Sequence, residues 1–248
     1  MSERLDLPGV SYRLGRWQDV LADVDACDVV LTDPPYSERT HEGYRTGSGT
    51  YTDPGDQVGY VSLQDADEFA SHWSTLCRLW TIQFGDHVSF RSWESAWQSV
   101  DWYTFPPVFW LRRNPGPRMA ADGPASAGEH VLVARPRRRV RDPLSRPGRY
   151  DVATAPATGV IGTKDVGGLR RILEDYTRPG DLVVDPYAGT ATVGQACIET
   201  GRRYIGSEVD PRTYALGVKR LSAATPCLPG MEPDRWREKP SVEQETLF

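Results

Sequence analysis

From Thr163 to Leu221 the chain alternates helix and strand, and this rhythm constrains the fold more than any other feature. Gly168–Tyr176 has helical periodicity and stops at Pro179-Gly180. Leu182–Asp185 is a short apolar run, Thr192–Glu199 is helical, Arg203–Ser207 extended and Tyr214–Leu221 helical. Strands separated by helices imply a mostly parallel sheet with helices on both faces. Earlier segments fit the same pattern. Val10–Leu14 and Asp28–Thr32 read as strands, with Gln18–Val24 a short helix between them. Leu63–Trp80 is an amphipathic helix by the spacing of Phe69, Trp73, Leu76 and Trp80. Thr81–Phe84, Val108–Leu111 and His130–Ala134 are strands, and Phe90–Val100 a helix. Ser37–Val61, Asn114–Gly128 and Pro136–Pro147 lack a period and read as loops.

The 248 residues, 39% of them hydrophobic, suffice for one large α/β domain or one domain with an insertion. The apolar runs are too short to span a bilayer, and the first residues lack the apolar core of a signal peptide. A soluble, cytoplasmic protein is expected. Cys27, Cys77, Cys197 and Cys227 form no CxxC pair, and the four histidines are scattered, so buried thiols are expected and no metal site. The net charge of −5 is unevenly spread: ten arginines between Arg112 and Arg149 face Asp122, Glu129 and Asp142, a local +7 that leaves −12 elsewhere. An acidic body with one basic segment suggests a local contact with nucleic acid. The alternative is a solvated charge run.

Val183–Gly194 reads as a strand, a tight turn and a helix start. Gly189 would let a ligand approach the backbone, and the helix N-terminus offers free N–H groups. Glu208 ends the next strand, 23 residues after Asp185, where an acid grips ribose hydroxyls in nucleotide-binding α/β folds. Two ligands suit this pattern. One is a dinucleotide; the other is S-adenosylmethionine, with Asp185 facing the methionine ammonium and Glu208 the ribose. Asp185 would repel a pyrophosphate, which favours the methyl donor.

Asp33-Pro34-Pro35-Tyr36 follows the strand Asp28–Thr32 directly. An amine that accepts a methyl group must offer its lone pair while its protons are held elsewhere. Asp33 can accept from one N–H and the Pro34 carbonyl from the other, while Pro34 and Pro35 fix the backbone. The Tyr36 ring suits stacking on a base turned out of a duplex. An ordinary strand-ending turn is the plainer reading, since Asp-Pro recurs at Asp53, Asp142, Asp185 and Asp210.

Together these residues resemble the amino-methyltransferases that modify adenine N6 or cytosine N4 in DNA. Asp33–Tyr36 is similar to their catalytic motif, Asp185–Thr190 to their D-P-F-x-G-S cofactor motif, and Gly206-Ser207-Glu208 to their ribose-binding segment. Gly162-Thr163-Lys164 resembles the segment ending in Lys-Pro that precedes the cofactor strand, and Gly128-Glu129-His130 a central segment of phage and actinobacterial members. The motif order resembles the permuted "beta" arrangement. Tyr187 stands for the usual Phe, Ala191 for a second Gly, Asp165 for Pro, and Arg16 where many relatives carry an Asp facing the cofactor adenine.

The resemblance implies a Rossmann-like methyltransferase fold, a mostly parallel seven-stranded sheet within residues 1–225. Residues 112–160 are expected to be an inserted DNA-recognition segment and 226–248 a flexible tail. It implies S-adenosylmethionine as cofactor, held by Lys164, Asp185, Tyr187, Ala188, Gly189, Thr190 and Glu208, and catalysis by Asp33, Pro34, Pro35 and Tyr36. The implied activity is methylation of flipped adenine N6 in double-stranded DNA, as in restriction-modification. Cytosine N4, or DNA binding without activity, are the alternatives. Arg112, Arg113, Arg137, Arg138, Arg139 and Arg141 are the candidate DNA contacts. Ser37–Gly59 is placed to close over a flipped base. Gln244–Phe248 resembles the Q-x-x-L-F peptides that dock on the bacterial sliding clamp.

Overall fold

A computed structural model of the chain describes residues 3–35, 66–113, 127–137, 145–153, 163–228 and 230. Tyr36, Ser37–Gly59, Arg138, Arg139, Arg141 and Gln244–Phe248 lie outside the described residues.

The chain forms β1 (Arg4–Leu7), β2 (Val10–Leu14), α1 (Trp17–Val20), β3 (Cys27–Thr32), α2 (Ala66–Leu76), β4 (Cys77–Gly85), α3 (Ser89–Ser99), β5 (Trp102–Thr104) and β6 (Val108–Arg112). Then follow β7 (Gly128–Pro136), β8 (Arg149–Val152), α4 (Val166–Tyr176), β9 (Leu182–Asp185), α5 (Thr192–Thr200), β10 (Arg203–Glu208) and α6 (Pro211–Ala223). All strands join one sheet in the order β1-β2-β10-β9-β3-β4-β7-β6-β8, with β5 also paired to β7. Strands β2, β10, β9, β3 and β4 are mutually parallel; β7 runs against β4, β5 and β6, β8 runs with β6, and β1 runs against β2. Eight of the ten described strands therefore share one direction. The sheet is mostly parallel, as expected, but has ten strands rather than seven because β1, β5 and β8 extend it.

Both faces of the central strands are buried, and the side chains alternate between two cores. Val29, Leu31, Val183, Val131 and Val133 enter one core with Leu169, Ile172 and Leu173 of α4, Ala196 and Cys197 of α5, and Tyr214 and Leu221 of α6. Val30, Val184, Leu132 and Ala134 enter the other with Trp17 of α1, Phe69 and Trp73 of α2, and Trp93 and Trp97 of α3. The helices thus cover both faces. Cys27, Cys77 and Cys197 are buried free thiols.

Two local readings change. The helix expected over Leu63–Trp80 ends at Leu76, and β4 begins at Cys77. Trp80, Ile82 and Phe84 line one core at every second residue, and that alternation outweighs the helical spacing of Trp80 to Leu76. The segment 112–160 supplies sheet strands: β7 pairs with β4, β5 and β6, and β8 pairs with β6.

Candidate active site

Strands β3 and β9 lie side by side, paired through Val29–Val183 and Val30–Val184. The chain leaves them in opposite directions across the sheet: β9 is followed by α5 and β10 on one side, β3 by α2 and β4 on the other. Such a divergence opens a crevice at the carboxyl ends of the strands. There the sequence places an acid on each of three strands: Asp33 just past β3, Asp185 ending β9 and Glu208 ending β10.

Asp185 is 1% exposed. Its Oδ1 accepts a hydrogen bond from Thr32 Oγ1 at 2.7 Å, and Thr32 Oγ1 in turn accepts from the Tyr187 backbone N–H at 3.2 Å. The last residue of β3 thus ties the catalytic strand to the turn after β9. Burial pushes the Asp185 carboxyl up to about 7; the Thr32 hydroxyl opposes the rise and the nearby Asp33 charge adds to it. Burial likewise raises Glu208, against the Asp210 N–H that donates to its Oε1 at 2.7 Å.

The turn between β9 and α5 is held from both sides. Ala188 N–H donates to the Ser207 carbonyl at 2.9 Å, and Ser207 Oγ donates to the Pro186 carbonyl at 2.8 Å. Tyr12 Oη donates to the Gly189 carbonyl at 2.6 Å while its ring stacks on Tyr214, centroids 4.6 Å apart. Gly189 has φ +52°, and a Cβ built there would meet no atom within 4 Å, so the backbone faces open space. Ala191 caps α5 in the same left-handed region, at the position where the resemblance expects a second glycine.

The site residues expected from sequence divide into two groups. Asp33, Asp185, Gly189 and Glu208 converge on the strand ends. The Tyr187 ring stacks on Phe69 at 5.9 Å and its hydroxyl accepts from Trp17 Nε1 at 3.1 Å, so it serves the α1–α2 core. Ala188 and Thr190 are buried in the turn. The Nζ of Lys164, expected to hold the cofactor, pairs with Asp33 Oδ2 and, at 2.9 Å, with Glu129 Oε2, and lies 4.8 Å over the Phe84 ring. Burial alone would lower the Lys164 pKa, but the two carboxylates outweigh it and hold the ammonium charged. Asp165, in place of proline, caps α4 by accepting from Gly168 N–H at 2.7 Å. Thr32, Tyr12 and Glu129 join the site without a motif of their own: Thr32 borders Asp33-Pro34-Pro35 and Glu129 lies within Gly128–His130, but nothing in the sequence marks Tyr12.

The described arginines of the basic segment do not form one face. Arg112 ends β6 at the edge that carries Asp33, and Arg113 N–H bonds the Val152 carbonyl at 3.0 Å there. Arg137 lies at the opposite edge. His130 pairs with Gly85 at the site edge, and Arg137 is seven residues further along, ~23 Å at ~3.3 Å per residue. It is paired with Asp101 at 3.1 Å. Arg146 covers Trp80 and donates to the Asp175 carbonyl at 2.8 Å, and Arg149 pairs with Asp151 at 3.2 Å. The strand reversal at β7 divides the basic segment. Arg137 therefore lies apart from Arg112 and Arg113.

The fold matches a structure described as an M1.HpyAVI–S-adenosylmethionine complex, with a TM-score of 0.64, 17% identity, and coverage of 86% of this chain and 99% of that one. A structure described as PvuII DNA methyltransferase (cytosine-N4-specific) matches with a TM-score of 0.62, 16% identity and coverage of 86% of each chain, so the mixed sheet has the fold seen in DNA methyltransferase structures. More particularly, residues 162–219 match the model of the N6/N4 methyltransferase family, described as DNA methylase. Type II methyltransferase M.XycI of Xanthomonas campestris pv. cyanopsidis is 29% identical over 140 residues, 51% of this chain and 47% of that protein. The DNA adenine methyltransferase YhdJ of Escherichia coli (strain K12) is 40% identical over 57 residues, 23% of this chain and 19% of that protein. The chain spans about half the length of M.XycI, and less of YhdJ.

Proposed function

We propose that this chain transfers a methyl group from S-adenosylmethionine to the N6 amine of an adenine in DNA. The observation that carries the reading is the pairing of β3 with β9, which sets Asp33 beside Asp185 and joins the two turns through Thr32. The residues fit the cofactor. Buried Asp185 and Glu208 suit a ligand bearing a sulfonium and an ammonium, and open space at Gly189 admits it against the backbone. When bound, this cofactor supplies an electrophilic methyl group. Asp185 would hold its ammonium and Glu208 its ribose hydroxyls.

The chain's part on the acceptor side is to hold the amine. Asp33 accepts a hydrogen bond from one N–H and the Pro34 carbonyl from the other, which leaves the nitrogen lone pair aimed across the crevice. Rate then comes from positioning the two reactants and from negative charge facing a nitrogen that turns positive. Asp rather than Ser at position 33 favours adenine, and the likeness to a protein named as an adenine methyltransferase agrees with it. Among the described arginines, the position of Arg112 and Arg113 on the site edge supports assigning DNA phosphate contacts to them.

Incubation with labelled S-adenosylmethionine and unmethylated DNA, followed by nucleoside analysis, tests the reading. Labelled N6-methyladenine is expected, and none from Asp33→Ala, which should still bind the cofactor. Labelled N4-methylcytosine would move the acceptor, and a fully active Asp33→Ala chain would remove Asp33 from the chemistry.

A further inference from the structure

Lys164 brings together three parts of the fold that are far apart in the chain. It precedes α4, its ammonium is paired with Asp33 past β3, and it also pairs with Glu129 at the start of β7. Its side chain is 5% exposed, against 26% for Asp33 and 20% for Glu129. Phe84 of β4 closes the cluster from below, its ring 4.8 Å from the ammonium. The approach of β7 depends on Gly128, where a Cβ would lie 2.1 Å from the Trp110 carbonyl oxygen. Glu129 thus anchors the ammonium that holds Asp33, the residue expected to hold the methyl acceptor.

We propose that Glu129 is a positioning residue for methyl transfer, acting through Lys164 to fix Asp33. The inference rests on the methyltransferase reading of the same site. Lys164 locks Asp33 Oδ2, so the carboxylate meets the incoming amine in one orientation. As the bond from nitrogen to the methyl carbon forms, the bond from the cofactor sulfur to that carbon breaks, and the surplus N–H proton leaves through Asp33 to solvent; a fixed Asp33 supports the positive nitrogen of that state more than it supports the bound base. Glu129 therefore governs the rate of transfer and leaves cofactor affinity alone. Lys164 remains an ammonium throughout and takes no proton.

The test measures single-turnover methyl transfer to unmethylated DNA, and cofactor affinity by calorimetry, in the full chain. Glu129→Gln keeps an acceptor for Lys164 but removes the charge. It should slow transfer by roughly 10- to 100-fold, with cofactor Kd within about threefold and an unchanged thermal midpoint. Glu129→Asp should recover part of the rate. Because the two residues act in series, Glu129→Gln in a Lys164→Met background should cost little more. Transfer at the wild-type rate in Glu129→Gln overturns the proposal, as does a loss of cofactor affinity that matches the loss of rate. Failure of both Glu129 variants to fold would assign the cluster to stability and overturn it as well. A wild-type chain that binds cofactor but transfers nothing would overturn the methyltransferase reading and this inference with it; an active wild type with an unaffected Glu129→Gln would overturn this inference alone.

Discussion

Asp185 links affinity and stability to pH in opposite directions. Burial lifts its carboxyl to about 7, so the folded chain keeps a proton that an unfolded chain releases in the ordinary carboxylate range. For a carboxyl raised by folding, the contribution to stability is complete below that range and is lost as pH rises to about 7. A rise of about three units corresponds to ~4 kcal/mol at most across that window. Ligand binding reverses the sign. A cation seated against Asp185 favours the ionised form and expels the proton. Affinity should therefore rise about tenfold per pH unit below 7 and level off above it, a difference of ~2.7 kcal/mol between about pH 5 and the plateau. Calorimetry of S-adenosylmethionine binding in buffers of different ionisation enthalpy reads both the affinity and the proton release, expected to be about 0.9 per site near pH 6. Asp185→Asn should lose this pH dependence and the pH-dependent part of apo stability. A flat wild-type profile, or the same slope in Asp185→Asn, would refute the assignment of Asp185 to a cationic ligand.

Gly189→Ala separates folding from binding. The left-handed φ of +52° costs a side chain roughly 1 kcal/mol in urea denaturation. The added methyl enters the open space, so cofactor Kd should rise more than tenfold, and unchanged affinity would show that the ligand does not approach there. The two sheet edges can be tested by charge reversal. Arg112→Glu with Arg113→Glu should weaken DNA binding and reduce the salt dependence of log K by about two, whereas Arg137→Glu should change neither; an equal effect from Arg137 would overturn the edge assignment.

The parallel core was legible in sequence because its strands are short apolar runs ended by turn residues. Leu182–Asp185 was bounded correctly, and β3 missed only Cys27. β1, β5 and β8 escaped notice. Each has three or four residues, and β8 sits in an arginine- and proline-rich stretch where Tyr150 and Val152 alternate with the outward pair Arg149 and Asp151. The acids of the site were readable because each ends a strand. The partners of Lys164 were not, since Asp33 is 131 residues away and only the sheet order brings it near.

Charge summed along a sequence measures a face only where the chain keeps one direction. β7 shows why. Within nine residues it carries Glu129 at the site edge to Arg137 at the far one, since it runs against β4 and crosses the whole sheet. The described arginines of that segment are therefore shared between two edges, and Arg146 lies on Trp80. What remains at the site edge is acidic around the cofactor turn, with Asp185 and Glu208, and basic beside it, with Arg112 and Arg113. The proposed cationic cofactor and polyanionic substrate would require opposite fields, and the sheet order sets these acids and arginines next to each other on one edge.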